Sequence, residues 1–100
     1  MKETLQVGYI AEEFERIEGR KTAVDANPKK LERFYYPKSQ GGGYKHHIFH
    51  ESFIAFAQYI PNKYDTIVFN YSPTMYELRL AKGLLNEGGE IIRIENQAVS

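Results

Sequence analysis

Cysteine is absent from the 100 residues. That removes structural disulfides, thiolate zinc sites, iron–sulfur ligation and the cysteine nucleophiles of rhodanese-like or tyrosine-phosphatase-like α/β folds. A chain that needs no disulfide suits a reducing compartment, and a cytoplasmic location is expected. Long apolar runs are missing too: no stretch approaches the ~20 residues of a membrane-spanning helix. The opening Met1-Lys2-Glu3-Thr4 also lacks the apolar core of a secretory signal. A soluble protein without membrane attachment is expected. Neither charge is in excess, with 13 Lys and Arg against 13 Asp and Glu, so no bulk attraction to nucleic acid or anionic lipid follows.

What is present is a chain with 42% hydrophobic and 14% aromatic residues, the composition of one compact domain over residues 1–100. Its charge is uneven. Residues 1–19 carry −3, residues 20–45 carry +5 and residues 46–100 carry −2. The basic block, opening on Arg20 and closing on Lys45, also contains Phe34, Tyr35, Tyr36 and Tyr44. Such a mixture is one on which single-stranded nucleic acid can stack, although a solvated helix face has the same composition.

Strand-like and helix-like patterns alternate along the chain. Leu5, Val7 and Tyr9 recur at a spacing of two and predict a strand over residues 4–9 with all three on one face. Phe14 and Ile17 give residues 11–18 a short helix with one apolar edge, and residues 21–25 read as a brief strand ending on Asp25. Asn27-Pro28 then predicts the start of a helix reaching about Tyr36, and residues 37–44, with Gly41-Gly42-Gly43, read as a loop. Residues 46–50 form a weakly apolar strand, and Phe53, Phe56, Ala57 and Ile60 have the helical period, ended by Pro61. The unbroken Ile67-Val68-Phe69 predicts a strand over residues 65–71 covered on both faces. A helix over residues 74–86 follows, with Met75, Leu78, Ala81 and Leu85 on one face and Gly88-Gly89 as its stop; a fifth strand closes over residues 90–94. This alternation predicts an open, mostly parallel five-stranded α/β sheet with helices on both faces, a three-layer sandwich.

Four segments carry a family likeness: Leu5-Gln6-Val7-Gly8-Tyr9-Ile10-Ala11-Glu12; Thr22-Ala23-Val24-Asp25-Ala26-Asn27-Pro28; Lys63-Tyr64-Asp65-Thr66-Ile67-Val68-Phe69-Asn70; and the run from Leu80 through Gly88-Gly89 to Ile92. In that order the chain resembles the nucleotide-binding part of a class I S-adenosylmethionine-dependent methyltransferase, a Rossmann-like fold. The resemblance implies strand order 3-2-1-4-5 and S-adenosylmethionine as cofactor. It also sets expectations for particular residues: Gly8 in the turn that approaches the cofactor, Asp25 as acceptor for a ribose diol, and Glu51 with Ser52 near the adenine. Asn70, in Asn70-Tyr71-Ser72-Pro73, takes the place of the amide that orients a target amine, with methyl transfer depending chiefly on alignment.

Each of these residues has a second, purely local reading. Asp25 suits a turn, Gly8 a sharp exit from a strand, Glu51 and Ser52 a helix start, and Asn70, Ser72 and Thr74 a helix cap. The chain also departs from the family pattern. Only Gly8 remains of the glycines in the first turn, followed by Tyr9 and Ile10, which are expected to fill part of the cofactor space. The chain stops after the fifth strand, and an exposed sheet edge would then invite a protein partner or a second copy.

Other chemistries fail on residue type. His46, His47 and His50 share no His-Glu-x-x-His pattern, and no metal site is expected. Gly41-Gly42-Gly43-Tyr44-Lys45 lacks the Lys-Ser or Lys-Thr of a phosphate loop. A phosphate-accepting receiver would need acidic residues that the first and third strand ends do not supply, and no serine sits in a Gly-x-Ser-x-Gly elbow. The expectation is a methyltransferase-like domain that has lost catalysis and serves as a regulatory or protein-interaction module. The alternatives are an active methyltransferase that needs a partner subunit and a single-stranded nucleic-acid-binding module using residues 20–45.

Overall fold

A computed structural model describes residues 2–27 and 46–93. Strand β1 (Glu3–Val7) leads through helix α1 (Ala11–Arg16) to β2 (Arg20–Val24); β3 (His46–Phe49), helix α2 (Phe53–Tyr59), β4 (Tyr64–Phe69), helix α3 (Met75–Gly83) and β5 (Leu85–Arg93) follow. The five strands form one sheet in the order β3-β2-β1-β4-β5, and every neighbouring pair is parallel. The expected helix over residues 28–36 and the glycine loop over residues 37–44 lie outside the described residues.

Alternation along the strands divides the apolar side chains between two faces. Leu5, Val7, Val24, Ile67 and Phe69 pack with Phe53 and Phe56 of α2 and Ala81 of α3 in one cluster. Ala23, next to Val24 and therefore on the opposite face, packs with Tyr9 and Phe14 of the α1 side. Helices thus cover both faces. Among the described residues no helix is long and apolar enough to cross a membrane.

The strand ends are level. Val7 lies opposite Val24 on one side and Phe69 on the other, and Val24 lies opposite Phe49. Carboxyl ends of neighbouring strands therefore open on a common rim, beside the place where the order reverses about β1. That is where ligands bind in sheets of this kind.

Several boundaries differ from the sequence reading. Tyr9 does not share a face with Leu5 and Val7: β1 ends at Val7, Gly8 takes φ +87° and the chain swings Tyr9 into the second core. Helix α3 ends at Gly83, well before Gly88-Gly89, and Leu85 already belongs to β5. The glycine pair serves a bend inside that strand, where the register slips between Tyr64 and Thr66. A Cβ on Gly89 would lie 2.9 Å from the Asn86 carbonyl oxygen and 3.0 Å from that of Asp65. Met75, expected on the apolar face of this helix, is 77% exposed in its first turn.

Candidate functional site

The turn after β1 is held by side chains from three strands. Gly8 N–H donates to the Val24 carbonyl at 2.9 Å, and the Asn70 Nδ2 donates to the Gly8 carbonyl at 2.8 Å. Tyr9 N–H donates to Asp25 Oδ2 at 2.8 Å. Gln6 takes the Ile10 N–H on Oε1 at 3.1 Å and reaches the Ile10 carbonyl with Nε2 at 3.5 Å. Gln6 is 1% exposed, so these bonds satisfy a polar side chain otherwise costly to bury. Sequence reasoning passed over it; the only signal was a polar residue between Leu5 and Val7 in a strand buried on both faces.

Beside this turn lies a crevice of about 270 Å³, to which Gly8, Asp25, Glu51, Ser52, Tyr71 and Glu77 contribute. The four positions expected to meet a cofactor, Gly8, Asp25, Glu51 and Ser52, are therefore brought together. Asn70 is next to them: its own N–H donates to the Val7 carbonyl at 2.9 Å, and its Nδ2 bond to Gly8 leaves Oδ1 as the acceptor end of the amide. That Oδ1 is buried and has no hydrogen-bond partner among the described residues.

Tyr9 and Ile10 do not line the crevice. The ring that closes on Gly8 is Tyr71, whose Cδ1 would stand 3.3 Å from a Cβ at that position. Tyr71 donates its hydroxyl to Glu77 Oε2 at 2.5 Å. Burial first, then acceptance by the Glu77 carboxylate and its charge, and lastly the charge of Asp25, push the Tyr71 phenol well above its ordinary value of 10.0.

The local readings hold as well. Asp25 Oδ1 accepts from Asn27 N–H at 2.8 Å, an Asx turn. Ser52 caps α2, its Oγ accepting from Ala55 N–H at 3.1 Å, and Glu51 accepts the Tyr59 hydroxyl. Thr74 and Glu77 cap α3 reciprocally. His50 places Nε2 3.1 Å from the Ala26 carbonyl, and among the described residues no three ligating side chains gather for a metal. Of the basic block, Arg20 lies 3.5 Å from Glu3, while Lys21 Nζ donates to the Phe14 carbonyl at 2.8 Å and sits 4.8 Å from the Phe14 ring centre. Its aromatic and remaining basic residues, 28–45, lie outside the described residues.

No family model matches the sequence, and no curated protein matches it. Among solved structures, a candidate methyltransferase from Thermoplasma acidophilum superposes with TM-score 0.69 at 12% identity over 90% of this chain and 42% of its own. Precorrin 8W decarboxylase from Methanobacterium thermoautotrophicum superposes with TM-score 0.68 at 22% identity, over 98% of this chain and 57% of its own. The chain spans about half the length of these two proteins. Sheet order, parallel pairing and these superpositions together establish a methyltransferase-like α/β fold for this chain.

Proposed function

We propose that the crevice binds S-adenosylmethionine or its demethylated thioether, as the nucleotide-binding part of a methyltransferase-type protein. The observation that carries this reading is the convergence of Gly8, Asp25, Glu51 and Ser52 on one crevice at the carboxyl rim, where strand order reverses. The residues suit the group. Asp25 stands at the carboxyl end of β2, where it accepts from the Tyr9 and Asn27 amides, and on this reading it is the acceptor for a ribose diol. Gly8, at φ +87° and without a Cβ, makes the sharp turn at the crevice wall that brings the Tyr71 ring against it. When bound, the sulfonium supplies the activated methyl group. On this reading Asn70, tied to the turn by its bond to Gly8, orients the amine substrate.

A thermal melt tests this. Ligand at about 100 times its dissociation constant adds about 2.7 kcal/mol, a shift on the order of 10 °C for a domain of this size. Asp25→Asn should abolish the shift while the variant still melts cooperatively. The absence of any shift with either ligand would discard the reading.

A second reading, a binding or regulatory module without transfer, is favoured by one observation: Tyr71 stands over Gly8 and is fixed there by Glu77. Ligand-induced stabilisation without methyl transfer to any amine acceptor, unchanged in Asn70→Ala, would select it.

A further inference from the structure

We infer that Tyr71 is a latch on the crevice, whose ring covers Gly8 until a nucleoside ligand displaces it. This rests on the reading above and adds a conformational step to it.

The ring stands where such a ligand has to come. Tyr71 lines the same crevice as Gly8, Asp25, Glu51 and Ser52, and its Cδ1 and Cε1 lie 3.3 and 3.7 Å from the place a Gly8 Cβ would take. Ring and glycine are in contact, with no layer of ligand between them. Closed in this way the crevice measures about 270 Å³, just under the roughly 300–1,000 Å³ of small-molecule sites. Withdrawing the ring would widen it at the Gly8 wall.

The backbone on either side of Tyr71 is anchored, so the movement falls to the side chain. Before it, Asn70 donates its N–H to the Val7 carbonyl at 2.9 Å and its Nδ2 to that of Gly8 at 2.8 Å; after it, Thr74 and Glu77 cap α3. The ring itself rests on Gly8 and on Phe69, centroid to centroid 5.8 Å, and its hydroxyl is tied to Glu77 Oε2. At 38% exposure it borders the solvent into which it would turn. Releasing it leaves the helix start intact, because Glu77 Oε1 still accepts the Thr74 N–H at 2.9 Å. A ligand that binds only the open form has its affinity reduced by the fraction of molecules that are open.

Titration calorimetry of the full chain with S-adenosylmethionine and with its demethylated thioether tests the latch, and a melt of each variant checks that it folds. Tyr71→Ala removes ring and hydroxyl together. It should bind both ligands about tenfold more tightly than the parent, the factor expected from one hydrogen bond to a charged group. Tyr71→Phe keeps the ring but unties it from Glu77, and should gain several-fold. In stopped-flow mixing the gain should appear as faster association, since opening precedes binding. Unchanged or weaker binding by a cooperatively melting Tyr71→Ala, or by Tyr71→Phe should the first variant not fold, would overturn the inference and leave the cofactor reading standing. Binding of neither ligand by the parent or either variant would remove that reading and the inference together.

Discussion

Gly8 carries the sharpest demand on residue type. Its φ of +87° and the 3.3 Å approach of the Tyr71 ring leave little room for any side chain. Gly8→Ala should destabilise the protein by about 1–2 kcal/mol, read by urea unfolding, and weaken whatever binds beside it. Shifted titrations bear on the fold at both ends of the pH range. The Tyr71 phenol, raised chiefly by burial, is protonated more readily in the folded than in the unfolded chain. Its contribution is therefore complete below about pH 10 and lost as the pH climbs through the folded value. Melting temperature should fall at alkaline pH, and Tyr71→Phe should flatten that limb. Asp65 has the opposite sign. The Glu3 amide, at 2.8 Å, and then the Asn86 amide hold its carboxyl below the ordinary 3.8. Its stabilisation is present above that value and disappears as the pH drops through the lower folded one. Acid titration of Asp65→Asn should show a shallower loss than the parent. Of the crevice lining, Gly8 and Asp25 were legible, because residue type and strand ends coincide there. Gln6 and the Tyr71–Glu77 bond were not, because they depend on which side chains the turn brings within reach.

Helix α3 shows what can and cannot be read from one element. Its start was legible as a cluster of capping residues, and Thr74 is the one that caps: Glu77 N–H donates to its Oγ1 at 3.1 Å while Glu77 Oε1 takes the Thr74 N–H. Thr74→Ala should cost about 1 kcal/mol, measurable by chemical denaturation, and should also loosen the Glu77 carboxylate that fixes Tyr71. Its end was misread. Two glycines at 88 and 89 gave a stronger local stop signal than Gly83, but tertiary packing decided otherwise: Leu84 is buried in the main core, and Leu85 joins β5 opposite Tyr64. Lys63 closes the true end by donating to the Gly83 carbonyl. A residue 20 positions upstream cannot be recognised as a cap from local pattern alone.

For the whole molecule the order of elements was enough to predict a parallel sheet, because each alternation of strand and helix forces a crossover, and crossovers have one hand. The fold depends on a small apolar centre in which Phe56, fully buried, packs its ring 5.0 Å from that of Phe49. Phe56→Ala should cost about 3–5 kcal/mol, a large share of the about 5–15 kcal/mol expected of a domain in all, and circular dichroism should show the variant melting well below the parent. β1 is the middle strand, flanked by β2 and β4. During synthesis β1 therefore has to wait for a neighbour about 60 positions later, the separation between Gly8 and Asn70. At about 5–20 residues per second that is a delay of several seconds, during which one side of an apolar ribbon is unmatched. Growing chains of this protein should be recognised by chaperones until β4 has cleared the exit tunnel, and released soon after.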